Sequence, residues 1–283
     1  MRERGKKGRS PKHDLFHVIH KLPYGDTPYV RAKHAQLVEK DAEGAIAWFR
    51  EAIRAGDRVG SALKDMAVVM KQLDRAQEAI DAIQSFRSLC SPRSQHSLDN
   101  LLIDLYKKCG RTEEQIQLLK RKLRLIYQGQ AFDGKPTKTA RSHGKKFRVS
   151  IKQETARLLG NLGWAYMQKG NYVMAEAVFK KAQMIEADGN RACNLGQCLM
   201  RQGRYEEAQC VLEEVVTAAA DDKSRQRAHQ LMTEMKSTIS ADAFVQGIDQ
   251  LLPLWRSHTC TSRRLPIFEQ ITPLTLTDQL SCS

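Results

Sequence analysis

The chain has 283 residues, of which 41% are hydrophobic and 6% are aromatic, and its formal net charge is +14. This apolar content suffices for a sizeable core in one or two domains, but no apolar stretch approaches the roughly 18 residues that a membrane-spanning helix needs. The seven cysteines include no C-x-x-C pair, which argues against a disulfide framework or a zinc ribbon and favours a reducing compartment, the nucleus or the cytosol.

The positive charge is confined to two segments. Residues 1–13 contain six basic residues and one acidic residue, and residues 120–148 contain ten basic residues and one acidic residue. Local clusters of this kind attract acidic partners, such as nucleic acid or an import receptor. The alternative is a solvated segment that maintains solubility. The candidate basic patch in the second segment comprises Lys135, Lys138, Arg141, Lys145, Lys146 and Arg148.

A 33-residue repeat lies in the second half of the chain. The string NLGWAYMQKGNYVMAEAVFKKA aligns with NLGQCLMRQGRYEEAQCVLEEV, so that Gly163 corresponds to Gly196 and Phe179 to Leu212. A small residue facing a bulky one at this spacing is typical of two helices that cross closely. The pattern is that of the tetratricopeptide repeat (TPR), and it predicts an all-α fold.

Weaker copies precede these two. The strings DAEGAIAWFREAI and DRAQEAIDAIQSF are in register at a spacing of 34 residues, and LDNLLIDLYKKCGRTEEQIQLLKRKL is a third copy. Between the third and fourth copies the spacing exceeds one repeat by 26 residues, which predicts an insertion. The sequence therefore predicts a TPR superhelix of about five helical hairpins, since no hairpin can bury its apolar face alone.

These patterns divide the chain into six predicted segments. They are a basic tail with a leading helix (1–25), TPR-like repeats 1 to 3 (26–129), the basic insertion (130–155), repeats 4 and 5 (156–222), a capping helix region (223–252) and a flexible tail (253–283). The tail carries the apolar string LPIFEQI, which could lie in the chain's own groove or dock on another chain.

The motifs for catalysis and metal binding are incomplete. The string from Gly129 to Lys135 matches G-x-x-x-x-G-K, but a predicted helix precedes it, and Pro136 stands where a P-loop has its magnesium-binding Ser or Thr. The histidine cluster at residues 13–20 lacks the carboxylate of an H-E-x-x-H arrangement. We therefore expect a protein that is not an enzyme and that binds no cofactor or metal.

The alternative to catalysis is capture of an extended peptide on the surface that the first helices of the repeats line. Asn161 and Asn194 take equivalent positions there, and an Asn amide can both donate to and accept from a peptide backbone. The plainer interpretation is that Asn is merely tolerated at this helix position. Trp164 is the candidate hot spot of binding. The same register adds Lys64, Asp65, Asn100, Asp104, Lys107, Arg157, Gln197 and Arg201 to the predicted groove, a lining of mixed charge.

Several long strings carry a resemblance beyond the repeat. HVIHKLPYGDTPYVRAKHAQLVEKD, SLDNLLIDLYKKCGRTEEQ, YQGQAFDGKPTKTARSHGKKF and LLGNLGWAYMQKG closely resemble the plant sulfur-deficiency-induced TPR proteins, which form one family with the pollenless-type male-sterility proteins. The resemblance implies a largely nuclear, non-enzymatic regulator that acts through protein contacts. For the sulfur-deficiency branch it implies association with transcription factors and a role in sulfate use under limitation; for the pollenless branch it implies meiosis and pollen development. The short tail with LPIFEQI favours the first branch.

Two functions of different classes remain open at this point. The first is a peptide-binding adaptor in the nucleus that uses the predicted groove. The second is RNA or DNA binding through the insertion, where the string ARSHGKKFR places an aromatic residue among the positive charges. No membrane partner is expected.

Overall fold

A computed structural model describes residues 22–142, 145–218 and 221–257 of the chain. Within these ranges the side chains are described except at 133, 140–142, 145 and 242–257. The predicted leading helix before residue 22 and the string LPIFEQI lie outside the described residues.

The described residues contain eleven α-helices and two strands. In chain order they are α1 (Pro28–His34), α2 (Ala42–Arg54), α3 (Val59–Gln72), α4 (Ala76–Phe86), α5 (Pro92–Lys108), α6 (Thr112–Tyr127), β1 (Thr137–Ser142), β2 (Lys145–Ser150), α7 (Ile151–Gln168), α8 (Tyr172–Ile185), α9 (Gly189–Arg201), α10 (Tyr205–Thr217) and α11 (Asp222–Ser257).

Helices α1 to α10 form five successive hairpins. In each hairpin the first helix packs on the second, and the second packs on the first helix of the next hairpin or lies beside it. Helix α6 packs directly on α7, so the stack continues across the insertion. The predicted all-α class, a TPR superhelix, is thereby confirmed. Among the described residues, no helix combines the length and the apolar character needed to cross a lipid bilayer.

Local signals at the hairpin turns explain where the helices begin and end. The carboxylates of Asp41 and Asp188 accept hydrogen bonds from backbone N–H groups in the first turns of α2 and α9, at 3.0 and 2.8 Å. Asn171 caps α8 in the same way at 3.1 Å. Gly170 and Gly203 follow α7 and α9 with φ of 71° and 74°, a left-handed conformation that glycine adopts without steric cost.

The core follows the seams between the helices of each hairpin. Phe49 and Phe179 are fully buried, as are most Ala and Leu residues that face them. The predicted close crossings are present: a Cβ on Gly163 would lie 2.8 Å from the ring of Phe179, and a Cβ on Gly196 would lie 2.8 Å from Leu212. The two glycines therefore set the distance at which these helices pack.

The first hairpin departs from regular geometry. Its first helix ends in a π-helical turn over Ala35–Glu39, which is followed by Lys40 in the left-handed region. This is the repeat whose first helix lacks the Gly and Tyr of the better copies.

The insertion contains a β-hairpin, which the sequence patterns did not predict. Strands β1 and β2 pair antiparallel, with Thr137 opposite Ser150 and Ala140 opposite Phe147. Ser150 then forms a reciprocal capping box with Gln153, and α7 begins at once. Helix α7 thus starts within the segment 130–155 that the repeat spacing assigns to the insertion.

The chain divides into two compact units, residues 1–231 and residues 232–283. The five hairpins, the insertion and the first turns of α11 belong to the first unit. In these first turns, Ala228 is fully buried and Leu231 is 6% exposed. The described part of the second unit is the continuation of α11 to Ser257.

Candidate partner-binding groove

Four of the predicted groove residues contact one another in pairs across neighbouring first helices, and several others are held by residues outside the predicted set. Between α1 and α3, the Asp65 carboxylate accepts a hydrogen bond from Tyr29 Oη at 3.0 Å and pairs with Lys33 Nζ at 3.2 Å. Between α3 and α5, Asp104 pairs with Lys71 Nζ at 3.4 Å. These carboxylates therefore already have cationic or hydroxyl partners within the chain.

The same holds between α5 and α7. Asn100 Oδ1 accepts hydrogen bonds from Lys122 Nζ at 2.8 Å and from Arg157 Nη2 at 3.2 Å. Two helical turns further along α5, Lys107 Nζ lies 3.9 Å from the centroid of the Trp164 ring, which is a close cation–π contact. One face of Trp164 is thus covered by Lys107, and the residue as a whole is half-buried.

The two asparagines at equivalent repeat positions have different surroundings. Asn194 is buried, and its Oδ1 accepts a hydrogen bond at 2.7 Å from Arg227, which lies on α11. Arg227 also donates to Gln197 Oε1 at 3.4 Å. The Asn194 oxygen therefore already has a partner within the chain. Asn161 is half-buried, and its side chain forms no hydrogen bond with a described residue.

The part of the groove on α7 and α9 is consequently the least occupied. Asn161 offers an amide with no described partner, and Arg201 is an exposed cation that forms no ion pair within the described chain. Trp164 adds an aromatic surface next to them in the sequence register of α7. We refer to Asn161, Trp164 and Arg201 as the open stretch of the groove.

The predicted basic patch does not form a single surface. Lys138 is half-buried, pairs with Glu154 at 3.1 Å and lies 4.6 Å from the centroid of the Phe132 ring. Lys146 and Arg148 are exposed on β2, as is Lys135 before β1, whereas the side chains of Arg141 and Lys145 lie outside the described set. Because side chains alternate along a strand, Lys146 and Arg148 share one face of β2, and the exposed Phe147 projects from the opposite face.

Three charged residues that shape this region were missing from the predicted site. Burial raises the pKa of the Glu154 carboxyl, but hydrogen bonds and charges from Arg157 and Lys138 outweigh that effect and bring the pKa down to about 2. Burial lowers the pKa of the Lys122 ammonium to about 8. The third is Arg227, described above. No local sequence signal distinguishes them, since charged residues on helices usually face solvent.

The described residues contain no group of three or more His, Cys, Asp or Glu side chains that could hold a metal ion. Their polar contacts are those of a surface built for recognition: amides, ion pairs and one aromatic ring along consecutive helices. Arrays of this kind bind extended ligands through many side-chain contacts.

Comparison with known proteins identifies a repeat family and several similar plant proteins. The tetratricopeptide repeat family profile matches residues 166–234. Protein SULFUR DEFICIENCY-INDUCED 1 of Arabidopsis thaliana is 61% identical over 277 residues, which cover 91% of this chain and 89% of that protein. Protein SULFUR DEFICIENCY-INDUCED 2 of the same plant is 55% identical, covering 100% and 99%. Protein POLLENLESS 3-LIKE 2 of Arabidopsis thaliana is 58% identical, covering 79% of this chain and 54% of that protein.

Among solved structures, MamA 41-end from Desulfovibrio magneticus RS-1 is similar, with a TM-score of 0.51 at 15% identity, covering 69% of this chain and 96% of that chain. At this level of identity the likeness concerns the fold alone. TPR stacks of this kind are typical of protein-interaction scaffolds without catalytic activity.

Proposed function

Because the chain belongs to the family of the SULFUR DEFICIENCY-INDUCED and POLLENLESS 3 proteins, we propose that it is a non-enzymatic TPR adaptor that binds protein partners in the groove of its first helices. We place the adaptor in the nucleus, with transcription factors as its partners. Its role in this proposal is to regulate sulfate utilisation and sulfur metabolism under sulfur deficiency.

The share of this chain that each relative matches supports the sulfur-deficiency branch. The two SULFUR DEFICIENCY-INDUCED proteins match 91% and 100% of this chain, and POLLENLESS 3-LIKE 2 matches 79% of it. A pollenless-type regulator of meiosis and pollen development is the alternative within the same fold. The mode of binding in the groove is the same in both cases.

The open stretch of the groove is the observation that carries the proposal. Asn161 has an unused donor and acceptor, and Arg201 has no carboxylate partner among the described residues. Elsewhere on the first helices, the carboxylate and amide oxygens of the predicted groove are held by neighbours within the chain. A peptide that lies along α7 and α9 can therefore gain hydrogen bonds there without breaking existing ones, and Trp164 supplies apolar contact area.

Nucleic-acid binding through the insertion is less well supported. Proteins that bind single strands combine cations along the backbone with aromatic side chains on which the bases stack, on one surface. On β2 the exposed Phe147 projects from the face opposite to Lys146 and Arg148. Salt-sensitive capture of nucleic acid is accordingly an outcome that the experiment below must distinguish.

The test is a crosslinking pull-down from nuclei of sulfur-starved and sulfur-replete plants. The bait is the full chain as wild type, as the groove variant Asn161→Ala with Arg201→Ala, and as a control variant Lys181→Ala with Gln209→Ala. The control removes one exposed cation and one exposed amide from the second helices α8 and α10. Circular dichroism checks that all three proteins keep the same helicity.

We expect the wild type and the control to capture the same transcription regulators, and the groove variant to lose them. For a peptide taken from a captured regulator, fluorescence anisotropy should then show binding weakened by at least about tenfold in the groove variant. Equal capture by all three proteins would remove the open stretch from the mechanism. Recovery of nucleic-acid complexes that are lost on raising the salt would instead assign the binding to the insertion.

A further inference from the structure

The insertion and the third hairpin enclose a cleft of about 860 Å³, a volume within the range of small-molecule sites. Its walls come from α5, α6, the start of α7 and the insertion, and Lys64 of α3 also lines it. The apolar part of the lining is formed by Leu125, Ile126, Phe132 and Leu158. None of the three residues of the open stretch lines this cleft.

Positive charge in the cleft exceeds negative charge. Lys64, Arg93, Lys122 and Lys135 line it, and none of them forms an ion pair with a described residue. In the described lining, Glu154 is the one carboxylate, and it is already matched by Lys138 at 3.1 Å and by Arg157 at 2.9 Å. The cleft therefore presents four cations that form no ion pair with a described residue, which is an environment that attracts anions.

Lys122 is the most informative of these cations. It is 8% exposed, and within the described residues its ammonium donates one hydrogen bond, to Asn100 Oδ1 at 2.8 Å. An ammonium group has three N–H donors, so two remain to be satisfied. A buried charge without a counterion is costly, and an anion in the cleft would supply both the counter-charge and the missing acceptors.

We propose that this cleft binds a compact anion that carries two or more phosphate groups. Each phosphate carries a charge of about −1.5 to −2 and three acceptor oxygens, which suits four cations that converge on one enclosed volume. An acidic peptide fits less well. In an extended chain, carboxylates on the same side are about 6.6 Å apart and carry one charge each. The bound anion would link the insertion to α5 and α6.

The test is isothermal titration calorimetry of the full-length protein with tripolyphosphate. Three proteins are compared: wild type, Lys122→Met and Lys146→Met. Methionine keeps the approximate volume of the lysine stem and removes the charge, and replacing a buried charge by an apolar residue of similar size is compatible with folding. The matched control Lys146→Met removes the same charge from the exposed face of β2, outside the cleft.

We expect one tripolyphosphate to bind per wild-type chain. Affinity should fall at least about tenfold in Lys122→Met, which loses a charge-assisted hydrogen bond, and less than about twofold in Lys146→Met. Thermal unfolding of each variant confirms that the fold is kept.

Two results would overturn the proposal. The first is the absence of tripolyphosphate binding to the wild type. The second is an equal loss of affinity in both variants, since it would indicate diffuse attraction to the basic segment. A hexaglutamate peptide is titrated in parallel. Tighter binding of this peptide than of tripolyphosphate, with the same dependence on Lys122, would assign the cleft to an acidic protein segment instead.

Discussion

The fourth hairpin and the joint between the third and fourth hairpins are stabilised by opposite means. Inside the fourth hairpin, Gly163 lets α7 approach α8 until the Phe179 ring fills the seam. At the joint, α6 and α7 bury charged groups that line the cleft beside the insertion: Glu154 is 4% exposed and Lys122 8%. The seam between α7 and α8 depends on the absence of a side chain at Gly163. The joint between the third and fourth hairpins depends on buried groups of opposite charge.

The difference shows how one fold can carry both a regular stack and a special site. Apolar seams tolerate few changes in volume but make no demand on charge. Buried charges cost free energy unless each is paired, so they persist where they are matched or where a ligand completes them. In this chain, the buried carboxylates of Glu154 and Asp99 form ion pairs, whereas the buried ammonium of Lys122 forms one hydrogen bond and no ion pair with a described residue.

Replacing Glu154 with Gln is expected to have the largest effect. The substitution leaves Lys138 and Arg157 next to Lys122 without a counter-charge, so the free energy of unfolding should fall by about 3 kcal/mol, measured by urea denaturation at pH 7. The difference from wild type should narrow as the pH falls from 4.5 towards 2. The folded-state pKa of Glu154 is about 2 against an ordinary 4.5, and the stability it contributes is lost over that window.

The matched control is Glu113→Gln. Glu113 of α6 pairs at 2.6 Å with Lys169, which follows α7, so this ion pair also connects the third and fourth hairpins, but both side chains are about half exposed. Its loss should cost less than about 1 kcal/mol. If the two variants lost equal stability, burial would not be what distinguishes the joint.

Adding one methyl group at Gly163 should have the next largest effect. In Gly163→Ala the new Cβ would lie 2.8 Å from the fully buried Phe179 ring, whereas in Gly160→Ala it would lie 3.1 Å from the flexible Arg191 side chain. Both changes improve the helix propensity of α7 by up to about 1 kcal/mol. We expect Gly163→Ala to be less stable than Gly160→Ala by about 2 kcal/mol in urea denaturation. The methyl group at 163 overpacks against a buried ring, whereas the one at 160 meets a side chain that can move. Equal stability of the two variants would show that the ring can move.

The smallest effect at pH 7 is expected for Lys122→Met, within about 1 kcal/mol of wild type. The informative measurement is its pH dependence. The pKa of Lys122 is about 8 in the folded chain against an ordinary 10.5, because burial, with smaller contributions from Arg157 and Lys138, outweighs the opposing charges of Glu154 and Asp99. Between these pH values the unfolded chain binds a proton that the folded chain does not. The free energy of unfolding of the wild type should therefore rise with pH over this range, relative to that of the variant. A constant difference from pH 7 to 10.5 would contradict the buried, unpaired state of Lys122.

The helical hairpins could be predicted because their signals are local and recur. Gly163 with Phe179, and Gly196 with Leu212, stand at the same spacing within each copy, and each pair reports one contact inside one hairpin. The β-hairpin carries a weaker signal. Phe147 and Val149 alternate with charged residues after Gly144, but six residues of alternation with so much positive charge also describe a solvated loop.

The repeat register predicts which residues share a position on the first helices, but not what those residues contact. The structure has Asn161 on α7 and Asn194 on α9, yet Asn194 is held by Arg227, which is 33 residues further along the chain. Of the cleft residues, Lys64, Arg93 and Lys122 lie on three different helices, and Lys135 precedes β1. Contacts between elements leave no spacing pattern in a single sequence, so neither the occupied asparagine nor the convergence of cations was visible.

The hydrogen bond from Arg227 to Asn194, with Ala228 and Leu231 buried nearby, has a consequence for how copies of the chain meet one another. A hairpin stack has a head and a tail, and a tail that accepted the head of another copy would extend into an open-ended filament. The first turns of α11 hydrogen-bond to α9 at this end of the stack. A second copy that stacked on α9 here would first have to break these bonds.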